Sequence, residues 1–150
     1  MTRVGLATLA GLLVGVTIGA CMKPQESTPP WQLGYEKRNE ITALWTQIRD
    51  WRQEAGMELD PAPKTILQVE RRTAKKVARD RLCPANPPPP ACDDVCGLAD
   101  AICENSESIC SIAAELAPDD WAEEKCNSAK ASCREAKQRC CSCEAPGVTP

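Results

Sequence analysis

Nine of the eleven cysteines lie between Cys92 and Cys143, and six of these nine form two runs with a spacing of seven residues. Seven residues of α-helix turn through about 700°, so the cysteines of each run share one helical face. The two runs are mirror images about position 118, which predicts two antiparallel helices. The first run is Cys96, Cys103 and Cys110, and the second is Cys126, Cys133 and Cys140.

The mirror also predicts which cysteines pair. A disulfide needs Cα atoms about 5.5–6 Å apart, whereas packed helices are usually 8–10 Å apart, so the layers between bridges must hold small side chains. The facing positions are Ala99, Ser106 and Ala113 on one helix and Ala122, Ala129 and Ala136 on the other. The predicted disulfides are Cys96–Cys140, Cys103–Cys133, Cys110–Cys126 and Cys92–Cys143.

The first 21 residues are typical of an export signal. Arg3 precedes an apolar run from Val4 to Ile18, which at about 15 residues is too short to span a membrane. The run ends in Ile18-Gly19-Ala20-Cys21, which resembles the lipobox of bacterial lipoproteins. The resemblance implies that residues 1–20 are removed and that a lipidated (palmitate-bearing) Cys21 anchors the chain in a bilayer. An ordinary secretory signal is the alternative.

Met22 stands where that family's inner-membrane retention signal would usually have Asp, which favours the outer membrane, facing the periplasm. Without Cys21, ten cysteines remain, and an even number in an exported chain indicates disulfides. Cys83 and Cys141 are left over and are predicted to pair by elimination. The chain has no Phe and one Tyr, so bridges can substitute for large core side chains.

The fold class predicted is all-α. Ile41, Leu44, Ile48, Trp51 and Ala55 recur at steps of three and four, and a second, basic helix is expected from about Pro61 to Leu82. Packed against the two hairpin helices, this pair is expected to form a four-helix arrangement. The predicted segments are a signal peptide at 1–20, a flexible tether at 21–32, a helical pair at 33–83, a proline-rich linker at 84–91, the hairpin at 92–144 and a disordered tail at 145–150.

An apolar stripe lies beside the cysteines on the first hairpin helix and is the candidate interaction surface. Either the face containing Ile41 and Ile48 covers it, which we favour, or a partner helix or second copy does. The stripe consists of Val95, Leu98, Ile102, Ile109, Ile112 and Leu116.

Charge is divided unevenly along the chain. Residues 61–91 contain seven basic and two acidic side chains, whereas residues 92–144 contain five basic and twelve acidic ones. The basic residues are interpreted as a solvated face partly turned toward the acidic hairpin, with binding of anionic lipid headgroups as the alternative. An acidic, exported chain is not expected to bind nucleic acid.

The absence of histidine removes the common nucleophilic sites and the commonest metal ligand. No cofactor motif is present, so we expect neither catalysis nor a cofactor. The cysteine placement partly resembles bacterial copper-storage bundles, and its layout resembles twin-cysteine α-hairpin domains. The whole pattern looks like uncharacterised cysteine-rich bacterial lipoproteins. The predicted function is a non-catalytic structural or protein-interaction module of the envelope; the alternative is Cu(I) binding or redox activity.

Overall fold

A computed structural model describes residues 29–83 and 90–143, and every regular element within those ranges is helical. The predicted all-α fold class is therefore confirmed. Cys21, together with the signal peptide and the C-terminal tail, lies outside the described residues. The helices are α1 (Pro30–Glu54), α2 (Pro63–Val69), α3 (Ala74–Ala78), a short 3₁₀ turn (Pro90–Cys92), α4 (Asp93–Leu116) and α5 (Asp120–Cys141).

The hairpin consists of α4 and α5, joined by a tight turn at Pro118. Asp119 caps α5, because its Oδ1 accepts a hydrogen bond from the Ala122 N–H at 3.2 Å. Asp93 and Asp94 occupy the first turn of α4, where carboxylates interact favourably with the helix dipole. Local sequence therefore favours the start of each hairpin helix.

The first helix is longer than its apolar periodicity indicates. It begins at Pro30, eleven residues before Ile41 and inside the stretch 21–32 that was predicted to be a flexible tether. Proline at the first helical position needs no N–H partner and has a suitable φ. The helix ends where Gly56, with φ of 70°, donates to Gln53 O and Met57 N–H donates to Arg52 O. Glycine is needed there because the left-handed conformation is unfavourable for other residues.

The expectation of one helix from about Pro61 to Leu82 is wrong, because this stretch forms two short helices, α2 and α3. Thr73 separates them. Its backbone is extended, with ψ of 148°, and its side chain accepts a hydrogen bond from the Lys76 N–H. Thr73 is thus the N-cap of α3, a position that threonine favours over a helix interior.

One hydrophobic core joins the N-terminal helices to the hairpin. Ile41 and Ile48 of α1 are completely buried in the same cluster as Ile102 and Ile109 of α4. α1 packs mainly on α4, α2 on α5, and α3 on both hairpin helices. Within the described ranges, five α-helices therefore share one core, where the sequence indicated four.

Candidate functional site

A ladder of five disulfides runs along the hairpin. Its two most buried cysteines are Cys92, at the open end, and Cys133, near the middle. The Cα–Cα distances are 4.6–4.8 Å for the three bridges between α4 and α5. The bridges are Cys96–Cys140, Cys103–Cys133, Cys110–Cys126, Cys92–Cys143 and Cys83–Cys141, the same five pairs that spacing and elimination predict.

The bridges decide what chemistry the cysteines can perform in this state. Every cysteine between residues 83 and 143 is in a disulfide, so none of them offers the thiolate that Cu(I) ligation or nucleophilic attack requires. Within residues 29–83 and 90–143, no three Cys, Asp or Glu side chains are grouped so that they could hold a metal ion. In this oxidised form the ladder holds the helices together and offers no reactive thiol.

A cleft of about 360 Å³ lies at the open end of the ladder. Cys96, Cys140 and Cys141 line it, together with Lys137 and Asp100. The three cysteines are bridged, and the Lys137 ammonium donates to the carbonyls of Ala78 and Asp80. The cleft therefore presents neither a thiol nor an unengaged amine.

The predicted apolar stripe on α4 is covered by the molecule itself. Ile102, Ile109 and Ile112 are buried in the core that α1 completes, and Val95, Leu98 and Leu116 are half-buried. The stripe therefore does not form an exposed candidate interaction surface in this structure. Because its centre is core, making it polar would destabilise the fold rather than remove a partner.

Three cations on α5 bind the C-terminal ends of the three helices packed around it. The Lys130 Nζ donates to the carbonyls of Glu70 (2.8 Å) and Arg72 (2.9 Å), just after α2. The Lys137 Nζ likewise donates to the carbonyls of Ala78, the last residue of α3, and Asp80. The Arg139 Nε donates to the Ala55 carbonyl at the end of α1, at 3.1 Å. Cations at these ends satisfy free carbonyls and oppose the negative helix dipole.

Sequence reasoning missed this arrangement. Lys130 and Lys137 have the same seven-residue spacing as the cysteines and each follows a cysteine by four residues, so they share a helical face beside the seam. This spacing could have predicted from the sequence that the two lysines act together beside the disulfides. Burial lowers the pKa of Lys130, although the nearby Glu123 and Glu70 carboxylates oppose the effect.

A buried ion pair joins α1 to α5. The Arg52 side chain is 1% exposed and donates to Glu135 Oε2 at 2.8 Å. Arg52 also donates to the carbonyls of Glu58 and Asp60, while Glu135 Oε1 accepts from the Ala62 N–H. These bonds hold the loop between α1 and α2 against the hairpin.

The basic segment is a solvated face, as predicted, but within the described ranges none of its basic residues forms an ion pair with an acidic residue of the hairpin. Lys75 and Lys76 on α3, and Arg79 just after it, are exposed. Arg72 pairs with Asp80 of its own segment, and the guanidinium hydrogen bond lowers the pKa of Asp80. The acidic tip of the hairpin instead attracts α1.

Two ion pairs hold the start of α1 against the closed end of the hairpin. Lys37 pairs with Glu115, and the Arg38 Nη2 lies 2.6 Å from Asp119 Oδ2. Hydrogen bonds from Arg38 lower the pKa of Asp119. Trp31, Leu33 and Tyr35, just before these contacts, are exposed. The apolar start of α1, defined as these three residues, lies at the closed end of the hairpin.

Comparison with known proteins finds no matching family model, no similar curated protein and no similar solved structure. None of the helices in the described ranges is both long enough and apolar enough to span a membrane.

Proposed function

We propose that this chain is a non-catalytic lipoprotein of the bacterial envelope, in which the laddered hairpin is a rigid structural or protein-interaction module. The observation that carries the proposal is the ladder itself. Ten cysteines paired in five disulfides are typical of a protein that matures in an oxidising compartment such as the periplasm. Export to that compartment agrees with the apolar run before Cys21.

Lipid attachment at Cys21 is the second part of the proposal and rests on the lipobox resemblance. Several acyl chains on one residue, at about 0.8 kcal/mol per buried methylene, would hold a protein on a bilayer almost permanently. The module would then stand on the membrane. Because residue 22 is Met and not the Asp of the inner-membrane retention signal, the proposed location is the periplasmic side of the outer membrane.

The absence of histidine and the pairing of the cysteines support a role without catalysis. A rigid module has a clear physical use here, since a surface held by covalent bridges loses little conformational freedom when it binds. The proposed partner is a protein of the envelope.

Expression of wild type and Cys21→Ser in a bacterial host tests the anchor. We expect wild type in the membrane fraction, cleaved before Cys21 and heavier than the bare polypeptide by the mass of the acyl chains. Cys21→Ser keeps the apolar run and should not be lipidated. An ordinary secretory signal would instead produce soluble, lipid-free protein from both versions, and this would refute the anchor.

Counting thiols tests the oxidised state against the copper alternative. Protein purified without reductant and alkylated after denaturation should contain about zero free thiols among the ten cysteines of residues 83–143. About ten thiols, together with bound copper, would instead support Cu(I) storage.

A further inference from the structure

The large apolar side chains that are exposed in the described ranges are concentrated at one end. There are five of them, and three form the apolar start of α1: Trp31 (74% exposed), Leu33 (47%) and Tyr35 (65%). No charged residue lies between Pro29 and Tyr35. Tryptophan and tyrosine are the residues enriched where a membrane meets water, because their rings are apolar with one polar atom.

The fold gives this end a defined position. The pairs Lys37–Glu115 and Arg38–Asp119 place the apolar start of α1 at the closed end of the hairpin. The basic α3 lies at the opposite end, beside Lys137, which is about 27 Å along α5 from Asp119. The molecule therefore has an apolar end and a distant basic end.

The apolar end is also the one nearest to Cys21. Trp31 lies ten positions after Cys21, so their Cα atoms lie within about 36 Å of each other even if the chain between them is fully extended. A chain anchored at Cys21 thus keeps the start of α1 close to the bilayer surface. The tether lets this end reach the bilayer, but only a contact made by the protein itself can fix which end faces the membrane.

We propose that the apolar start of α1 is a membrane-contact surface, in which Trp31, Leu33 and Tyr35 enter the interface of the bilayer that holds Cys21. This inference rests on the proposed lipid anchor. The contact orients the hairpin, with its closed end toward the membrane and its open end and basic α3 directed away. The anchored protein then stands on the bilayer instead of swinging on its tether.

Charge at this end selects the type of lipid surface. Four carboxylates lie near this end of the molecule, on Glu36, Glu115, Asp119 and Asp120, against two cations, Lys37 and Arg38, which pair with Glu115 and Asp119. An acidic end repels anionic headgroups, so the contact is apolar and fits zwitterionic lipid. Added salt screens exposed charges and should leave such a contact unchanged.

Quenching of tryptophan fluorescence by brominated phosphatidylcholine tests the contact. Residues 21–150 are coupled through Cys21 to a maleimide phospholipid in phosphatidylcholine vesicles, in which the lipid is brominated or not. We expect quenching in wild type and a clear reduction of that quenching in Trp31→Phe, with the remainder from Trp121, which is partly buried at the same end. Trp51→Phe is the matched control, because Trp51 lies about 30 Å farther along α1 and should not contribute.

Equal quenching in wild type and Trp31→Phe would overturn the proposal, and so would quenching that salt abolishes. Self-association of the uncoupled chain that is lost in Trp31→Ser but kept in Leu67→Ser would show that a second copy is the occupant instead. Leu67 is a fair control, since it is 72% exposed but lies on α2. Chemical coupling supplies the anchor, so this measurement still reports on the contact if Cys21 proves not to be lipidated in cells.

Discussion

Lys130 shows how a charged residue can serve as a structural connector. Its side chain is 4% exposed, and it lies on α5 with its ammonium on two carbonyls that follow α2. Burying a charge is unfavourable unless it is fully hydrogen-bonded, and here the bonds to Glu70 and Arg72 provide that compensation. The lowered pKa of Lys130 is the sign of the desolvation that remains.

Lys130→Met should destabilise the protein by about 1–3 kcal/mol, because the carbonyls of Glu70 and Arg72 lose their charged donor in a buried site. Guanidinium-induced unfolding of the oxidised protein, followed by circular dichroism, measures the change. Lys75→Met is the control, since Lys75 is exposed and its replacement should alter the free energy of unfolding by less than about 0.5 kcal/mol. Equal losses in both variants would contradict the role of Lys130.

At the scale of the helix, the spacing of α4 and α5 depends on the residues between the bridges. Cα–Cα distances of 4.6–4.8 Å at the three rungs require the helices to approach closely. Ala99, Ser106, Ala129 and Ala136 are all buried between them. Small side chains make this approach possible, so the ladder depends on these layers as well as on its cysteines.

Ala129→Leu should lower the free energy of unfolding by about 1–3 kcal/mol, because a larger side chain has no space between two bridged helices. The same substitution should slow correct reoxidation, which peptide mapping of the refolded protein would detect as mispaired cysteines. Ala114→Leu is the matched control on the exposed side of α4 and should do neither. A fully tolerated Ala129→Leu would show that the helices can separate.

Helix boundaries were predicted less well than the ladder. The apolar period of α1 indicated its centre but not its start, because residues 31–36 lie past the core and repeat no apolar face. The break at Thr73 was missed because basic residues lie on both sides of it, and this unbroken pattern is typical of one continuous helix. A threonine cap competes with helix continuation only weakly in isolation, so the packing of α2 and α3 on α5 decides the outcome.

For the whole molecule, the bridges compensate for a core with few large side chains. The fully buried apolar residues are isoleucine, valine, alanine and cysteine, and the tryptophans are at most partly buried. A single bridge closing a loop of 15 residues contributes about 3 kcal/mol, and the five bridges here span 16–58 residues. Because ordinary domains are stable by only about 5–15 kcal/mol, most of the stability can come from the ladder.

Complete reduction and alkylation of the ten ladder cysteines should therefore abolish cooperative unfolding near physiological temperature. The measurement is thermal unfolding by circular dichroism, with protein treated identically but without reductant as the control. The oxidised control should keep a sharp transition. A reduced chain with an unchanged midpoint would mean that the apolar core alone stabilises the fold.

The sequence alone determined the antiparallel hairpin and its disulfide pairs, because a seven-residue helical period and a mirror symmetry leave few ways to join the cysteines. It favoured the face of Ile41 and Ile48 as the cover of α4 but left a partner helix or a second copy open, and only the packed structure places Ile41 and Ile48 in one core with Ile102 and Ile109. Tertiary structure also decided the roles of Lys130, Lys137 and Arg139. The reason is physical: a helical period is local, whereas the partner of a buried side chain lies far away in the chain.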